Sequence, residues 1–462
     1  MSEYGNQRTI AAISTPEAPG GIAVLRLSGE DAFSIGQRCF RSSSGKAIGD
    51  MAGYTCAYGT FLDANGADLD NGIVTVFRAP HSYTGENVVE FSCHGGLYIT
   101  RCLLESLLHA GADAAQPGEF TQRAFLAGKM TLTQAEAVMD VIGATGEREL
   151  RFAHAEQRGA LFQRVQKIKD QMVHCLGDLA AWADYPEEEI PAVTPEQLKT
   201  LLKAVEKALK DTLSTYHYGK ILQSGVSAVI VGKPNVGKST LFNLLSGCQR
   251  SIVTDIAGTT RDIVEERVQL GDVTLRLWDT AGLRETSDAI EKIGVELAQN
   301  CLQNADLILA VFDGSMPLEL TDFDILKQLP QKPMIAIVNK SDQKMQFSSA
   351  DLAEHCNFSQ ILTMSAKCGD GLELLQNAIE QLFYNDNIAP ESGIVSNTRQ
   401  KKCIEEALQQ IRLALDALEQ GKMLDGVTIL IEEGLEAILT LTGERVSETV
   451  VDDVFSRFCV GK

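Results

Sequence analysis

Short apolar runs rich in β-formers, set among glycines, mark the first 120 residues. GIAVLRLSG (21–29), NGIVTVFRA (71–79) and NVVEFSCHGG (87–96) are the clearest of them. This pattern predicts half-buried strands in an α+β unit. From 121 the pattern changes. TLTQAEAVMDVIGATGERELRFAHAEQRGALFQRVQKIKDQMVHCLGDLAAWA spaces its apolar residues by three and four with no internal proline, which predicts helix. PEEEIPAVTP interrupts it. Thr194 then reads as a helix cap, with Pro195 in the first turn and Gln197 three residues on.

VSAVIVG, TLRLWD, ADLILAVFD, PMIAIVNK and QILTMSAK alternate with helical stretches between 222 and 384. Strands alternating with crossover helices predict a mostly parallel sheet. Helical texture returns from about 397. The expected order is an N-terminal unit (1–120), a first helical segment (121–221), an inserted α/β domain (222–384) and a second helical segment with a tail (385–462). Helices on both sides of an inserted unit suggest one discontinuous helical domain, because the ends of an inserted domain lie close together. The fold class is therefore multidomain α/β and α.

Composition narrows this. The chain has 462 residues, enough for roughly three domains. With 44% hydrophobic residues a packed core is expected rather than disorder. No apolar run reaches the roughly 20 residues of a membrane helix, and MSEYGNQRTIAAIS lacks the pattern of a secretory signal. The eleven cysteines include no Cys-x-x-Cys pair, which argues against structural zinc and a redox dithiol. Reduced thiols and a cytoplasmic location are expected. The net charge of −21 disfavours strong nucleic-acid binding by this chain alone. If the substrate is RNA, a partner supplies much of the basic surface.

GKPNVGKST (232–240) follows a strand and opens a helix, matching Gly-x-x-x-x-Gly-Lys-Ser/Thr. The amides of Asn235, Val236, Gly237 and Thr240 would wrap phosphates, Lys238 would neutralise the β- and γ-phosphates, and Ser239 would hold Mg2+. DTAG (Asp279, Thr280, Ala281, Gly282) and NKSD (Asn339, Lys340, Ser341, Asp342) end later strands, and SAK (Ser365, Ala366, Lys367) ends the last. Asp342 would accept from the two donors of guanine, which adenine does not present together. TDIAGTTRD carries Thr254, Asp255, Ile256, Ala257, Gly258, Thr259 and Thr260, and Thr260 is the expected second Mg2+ ligand. Four elements in this order, each at a strand's carboxyl end, resemble a GTPase domain.

After DTAG stands Leu283, which cannot polarise water. Glu285, Asp288 and Glu291 are carboxylates able to orient it, and the residues alone do not choose among them.

TIAAISTPEAPGGIAVLRLSG, HSYTGENVVEFSCHGG, QPGEFTQRAFLAGKMTLTQAEAVMDVI, DTAGLRETSDAIEKIG and the final FCVGK together resemble the MnmE (TrmE) family of tRNA modification GTPases. The resemblance implies an N-terminal domain similar to folate-dependent aminomethyl transferases, a helical domain made from two segments, and an inserted G domain. It implies a homodimer whose G domains use K+ in place of an arginine finger, with Asn235 and groups around Thr254, Ile256 and Thr259 as ligands. It selects Glu291 to position water. It assigns Arg26, Glu90, Lys129 and Lys462 to a tetrahydrofolate derivative (5-formyl or 5,10-methylene). It implies a complex with a FAD-containing partner, MnmG, modifying C5 of a tRNA wobble uridine. Cys459, taken alone, reads as a packed thiol, and CHGG (93–96) as a packed turn. The resemblance instead makes Cys459 part of a reactive tail reaching the folate site. The alternative is a GTP-switch RNA-binding or ribosome-assembly factor without covalent chemistry, which would not bind folate.

Overall fold

The computed structural model describes residues 8–184, 194–247, 265–278, 302–319, 321–323, 329–354, 356–384 and 388–462. These fall into two compact units. One runs through Met139 and takes in Leu435–Lys462; the other is Asp140–Gly434.

The first unit is built on a seven-stranded sheet: β1 (Ile10–Ile13), β2 (Gly20–Ser28), β3 (Phe40–Ser42), β4 (Thr55–Leu62), β5 (Asp68–Phe77), β6 (Val88–Gly95) and β7 (Asp113–Ala114), in the order β3-β4-β5-β6-β2-β1-β7. Its ladders are antiparallel except β1 with β7. Alternation sets the faces. Leu25, Leu27, Val74, Val76, Val89 and Phe91 are buried on one side with α1 (Ala32–Arg38) and α2 (Leu97–His109). Arg26 and Glu90 lie on the opposite side. Near that side are α3 (Glu119–Leu126) and the first part of α4 (Leu132–Gly143). Leu132, Ala135, Val454, Phe455 and Phe458 form a separate apolar cluster there.

Cys93, His94 and Gly95 of CHGG end strand β6, and Gly96 caps α2, so the stretch is not a packed turn. Cys93 is buried in the core, and its thiol is pushed up to about 11 by burial. His94 faces the other way and hydrogen-bonds Asp70 at 2.8 Å. Strand alternation separates the two side chains, so they cannot act as a pair.

In the second unit the expected helical run is three helices, the rest of α4, α5 (Glu147–Gln157) and α6 (Ala160–Asp184). The breaks fall at residues 144–146 and 158–159. The Thr194 cap forms as the sequence predicts. Gln197 N donates to Thr194 Oγ1 at 3.3 Å and Thr194 N to Gln197 Oε1 at 3.1 Å, opening α7 (Pro195–Leu213). Such a cap contributes ~1 kcal/mol. α8 (Tyr216–Ser224) leads into the second sheet.

That sheet comprises β8 (Val226–Val231), β9 (Glu265–Leu270), β10 (Val273–Trp278), β11 (Leu307–Asp313), β12 (Met334–Asn339) and β13 (Gln360–Thr363). Their order is β13-β12-β11-β8-β10-β9. All neighbours are parallel except edge strand β9, which is antiparallel to β10. The five strands read from the sequence are those of the parallel sheet; β9 is an addition. β8 and β12 are buried nearly throughout, as an α/β sheet covered on both faces requires. α9 (Lys238–Gly247) and α10 (Leu372–Phe383) pack on it. α11 (Thr398–Glu419) lies against α7, so helices from both sides of the α/β segment meet. α12 (Leu424–Thr442) and α13 (Glu448–Ser456) follow. Among the described residues no helix is long and apolar enough to cross a membrane.

Candidate functional site

The carboxyl ends of β8, β11, β12 and β13 carry one set of loops. The β8–α9 loop holds the glycine-rich motif. Asn235 has φ 65° and Gly237 φ 103°, and a side chain at Gly237 would collide with the amide of Asn339. Only glycine permits that approach. Lys238 donates to the carbonyls of Gly232 (3.0 Å) and Lys233 (2.6 Å), which draws its ammonium back over the loop. Ser239 and Thr240 are exposed in the first turn of α9, where helix amides favour an anion.

Asn339 is 3% exposed and uses both ends of its amide. Nδ2 donates to Val236 O at 2.9 Å, and Oδ1 accepts from Ala366 N at 2.9 Å. Asn339 therefore clips the phosphate loop to the SAK loop. Lys340, at φ 65°, is paired with Asp313 at 2.6 Å. Burial pulls Asp313 up, but hydrogen bonds from Lys340 and Ser315 outweigh it and hold the carboxyl below its usual range. The exposed Asp342 accepts from Ser365 Oγ at 2.7 Å, which lowers its pKa. Ser341 N bonds Met364 O at 3.2 Å, tying the same two loops again. Lys367 is exposed beside them. A cavity of about 350 Å3 opens next to these loops, lined among others by Asn235, Val236, Asp313, Met316 and Lys340.

The structure thus brings together Asn235, Val236, Gly237, Lys238, Ser239, Thr240, Asn339, Lys340, Ser341, Asp342, Ser365, Ala366 and Lys367. Thr254, Asp255, Ile256, Ala257, Gly258, Thr259, Thr260, Asp279, Thr280, Ala281, Gly282 and Glu291 lie outside the described residues, as do Leu283, Glu285 and Asp288. Asp313 is a positioning residue that motif reading missed. Its signal was its place at the end of the strand LILAVFD.

The other unit holds a second constellation. Arg26 on β2 is in register with Glu90 on β6, and its Nε and Nη2 reach Glu90 Oε1 at 3.0 and 2.9 Å. The guanidinium lies 5.3 Å from the Tyr83 ring centroid and 5.6 Å from that of Phe120. Tyr83 is fixed by a 2.9 Å hydrogen bond with Thr121. Lys129 donates to Pro80 O (2.6 Å) and Ser82 O (2.8 Å), so it holds the loop that presents Tyr83. Lys462 lies where burial first, then the Arg26 charge, lowers its pKa, with Glu90 opposing. The tail is fixed by Ser14 Oγ donating to Gly461 O (3.2 Å) and Gly118 N to Cys459 O (3.4 Å). Gly461 has φ 93°, and a side chain there would strike the Ile13 carbonyl. Cys459 itself is exposed. Tyr83 and Phe120 lie inside stretches that carry the resemblance, but their role was invisible in sequence, because only folding stacks them on Arg26.

Phosphate loop, base loops and parallel sheet define a P-loop nucleotide-binding protein with an additional α+β unit. Two family models match it: "GTP-binding protein TrmE N-terminus" over residues 9–129 and "MnmE helical domain" over 132–459. It is 39% identical over 455 residues to the tRNA modification GTPase MnmE of Clostridioides difficile, covering 98% of this chain and 99% of that one. It is 40% identical to that of Geobacillus thermodenitrificans, covering 100% of both. Among solved structures, Aquifex aeolicus Era bound to GDP and AlF4− is 27% identical, covering 41% of this chain and 67% of that one, with a TM-score of 0.28. The chain belongs to the MnmE family of tRNA modification GTPases.

Proposed function

We propose that this protein hydrolyses GTP and couples it to modification of tRNA at C5 of the wobble uridine. The observation that carries the nucleotide half is the Asn339 clip. It joins the phosphate loop to the base loops and leaves the Asp342 carboxylate exposed beside them. A carboxylate there accepts from both guanine donors. Ser239 fits one Mg2+ ligand by its exposure at the start of α9, with Thr260 the second. Mg2+ supplies charge neutralisation on the phosphates. Asn235 is exposed at the loop and available to K+, with Thr254, Ile256 and Thr259 completing that site. Glu291 positions the attacking water, since Leu283 cannot.

The modification half rests on family membership and the Arg26 constellation. Its donor set suits a folate: Glu90 can accept from a pterin edge, and Lys462 and Arg26 can offset the acidic tail. Bound folate supplies the one-carbon unit. Lys129 serves by holding the Tyr83 loop, and Cys459 stands at the edge of the site. A FAD-containing partner, MnmG, completes the reaction, which installs an aminomethyl or carboxymethylaminomethyl group. The protein works as a homodimer in the cytoplasm, and the acidic chain leaves most tRNA contact to the partner.

The test is mass spectrometry of wobble uridines in total tRNA from a deletion strain carrying wild type, Glu291→Ala or Cys459→Ser. Wild type should restore the C5 adduct. Glu291→Ala should bind GTP normally but fail to hydrolyse it or restore the adduct. Restoration by Cys459→Ser would remove the thiol from the chemistry. Unchanged uridines in the deletion strain would sink the modification reading.

A further inference from the structure

The hairpin β9–β10 joins the TDIAGTTRD segment to DTAG. Its six register pairs run from Glu265↔Trp278, next to both motifs, to Leu270↔Val273 at the turn. Gln269 and Thr274 are the pair just before the turn. A strand of this length carries them about 13–17 Å from the motif end. At that far end the hairpin meets a buried carboxylate. Glu149, in the first turn of α5, is 7% exposed, and Thr274 is 4% exposed. Glu149 accepts from Thr145 N (2.8 Å), from Thr145 Oγ1 (3.0 Å) and from Thr274 Oγ1. Thr145 Oγ1 also lies 2.9 Å from Thr274 Oγ1 and 3.2 Å from Gln269 Oε1.

A helix cap alone would need only the Thr145 amide. Here the carboxylate also accepts a hydrogen bond from a hydroxyl on the sheet. A buried carboxylate is tolerated only when its donors are in place. Displacing Thr274 along its strand would therefore leave a buried charge short of a donor, so the helix must follow the hairpin. An antiparallel pair is stiff along its length, and the chain on both sides of its open end, at Glu265 and Trp278, runs into TDIAGTTRD and DTAG, the motifs assigned to GTP in the reading above.

We infer that the β9–β10 hairpin is a lever and that Glu149 is the positioning residue through which nucleotide state reaches the helices. This rests on the GTPase reading above. The carboxylate touches neither nucleotide nor reacting atoms. Its effect should appear in coupling and not in hydrolysis.

Hydrogen-exchange mass spectrometry on the full chain tests it, comparing the GDP state with a β,γ-imido GTP analogue. In wild type the analogue should change exchange both in α9, at the phosphate loop, and in α5. Glu149→Gln and Thr274→Val should keep the α9 response and GTP turnover within about twofold. They should shrink the α5 response by roughly tenfold, the scale of one charge-assisted hydrogen bond. Thr274→Val preserves shape and guards against misfolding of the charge variant. An α5 response equal to wild type in both variants overturns the lever. So does an α5 that never responds in wild type while α9 does. Loss of the α9 response in both variants makes Glu149 a plain structural support and overturns it too. Absence of any α9 response in wild type sinks the GTPase reading instead.

Discussion

The two constellations are built in opposite ways. The nucleotide loops come from contiguous motifs at the carboxyl ends of parallel strands, and backbone groups do much of the work. The Arg26 cluster draws on residues 26, 83, 90, 120 and 462, with one side chain from each segment. A contiguous motif tolerates change elsewhere but suffers when its own geometry is touched. An assembled cluster depends on every element that delivers a residue. Four measurements bear on this contrast.

The largest effect is expected at Lys238. If Lys238 neutralises the β- and γ-phosphates as proposed, single-turnover phosphate release by Lys238→Ala should fall about 10²–10³-fold. Folate binding should not change. A loss of folate binding would show that the two constellations are not separable.

Next is Asn339→Ala, which leaves Val236 O and Ala366 N without their buried partner. Each orphaned group costs roughly 1–3 kcal/mol, so GTP affinity by calorimetry should fall at least about tenfold. Unchanged affinity would mean that the loops hold their spacing without the clip.

Arg26→Lys tests the assembled cluster. Lysine keeps the charge but loses the fork and the stacking between Tyr83 and Phe120. Affinity for a formyl-tetrahydrofolate should drop about tenfold, with GTP turnover unchanged. An equal drop in GTP turnover would break the contrast.

The smallest effect is a titration. Burial and the Arg26 charge hold the Lys462 pKa below its ordinary 10.5. The unfolded chain then binds the proton more tightly than the folded one. Stability should rise as pH climbs from the folded midpoint to the ordinary value, where the penalty is gone. NMR of 13Cε-labelled lysine should find an early-titrating resonance, distinct from that of Lys332, whose pKa burial also lowers, and Lys462→Met should remove it. Arg26→Met should move its midpoint upward.

Legibility followed the same division. The five parallel strands could be read because each is a nearly unbroken apolar run bounded by turn residues. The loops could be read because phosphate and guanine recognition demand fixed residues at fixed spacing. β9 could not: EERVQL is charged on its open edge and lacks the apolar run of its neighbours. Asn339 was legible as a member of NKSD, but its task as a clip was not.

By itself, then, the sequence determined what local chemistry controls. Thr194 caps α7 because its hydroxyl meets the Gln197 amide three residues on, whatever surrounds it. Gly237 bends the phosphate loop because only glycine admits that approach to Asn339. Tertiary structure decided what depends on distant partners. The helical run from 131 looks continuous, yet it breaks at 144–146, where Thr145 and Glu149 meet Thr274 of the sheet. Nothing local to Lys129 names its partners, and it is bound by two carbonyls of another loop. Arg26 and Glu90 become a pair only because β2 and β6 are neighbours in that register. Periodicity reports which face a residue occupies; the identity of its neighbour across the sheet is fixed only when the chain closes on itself.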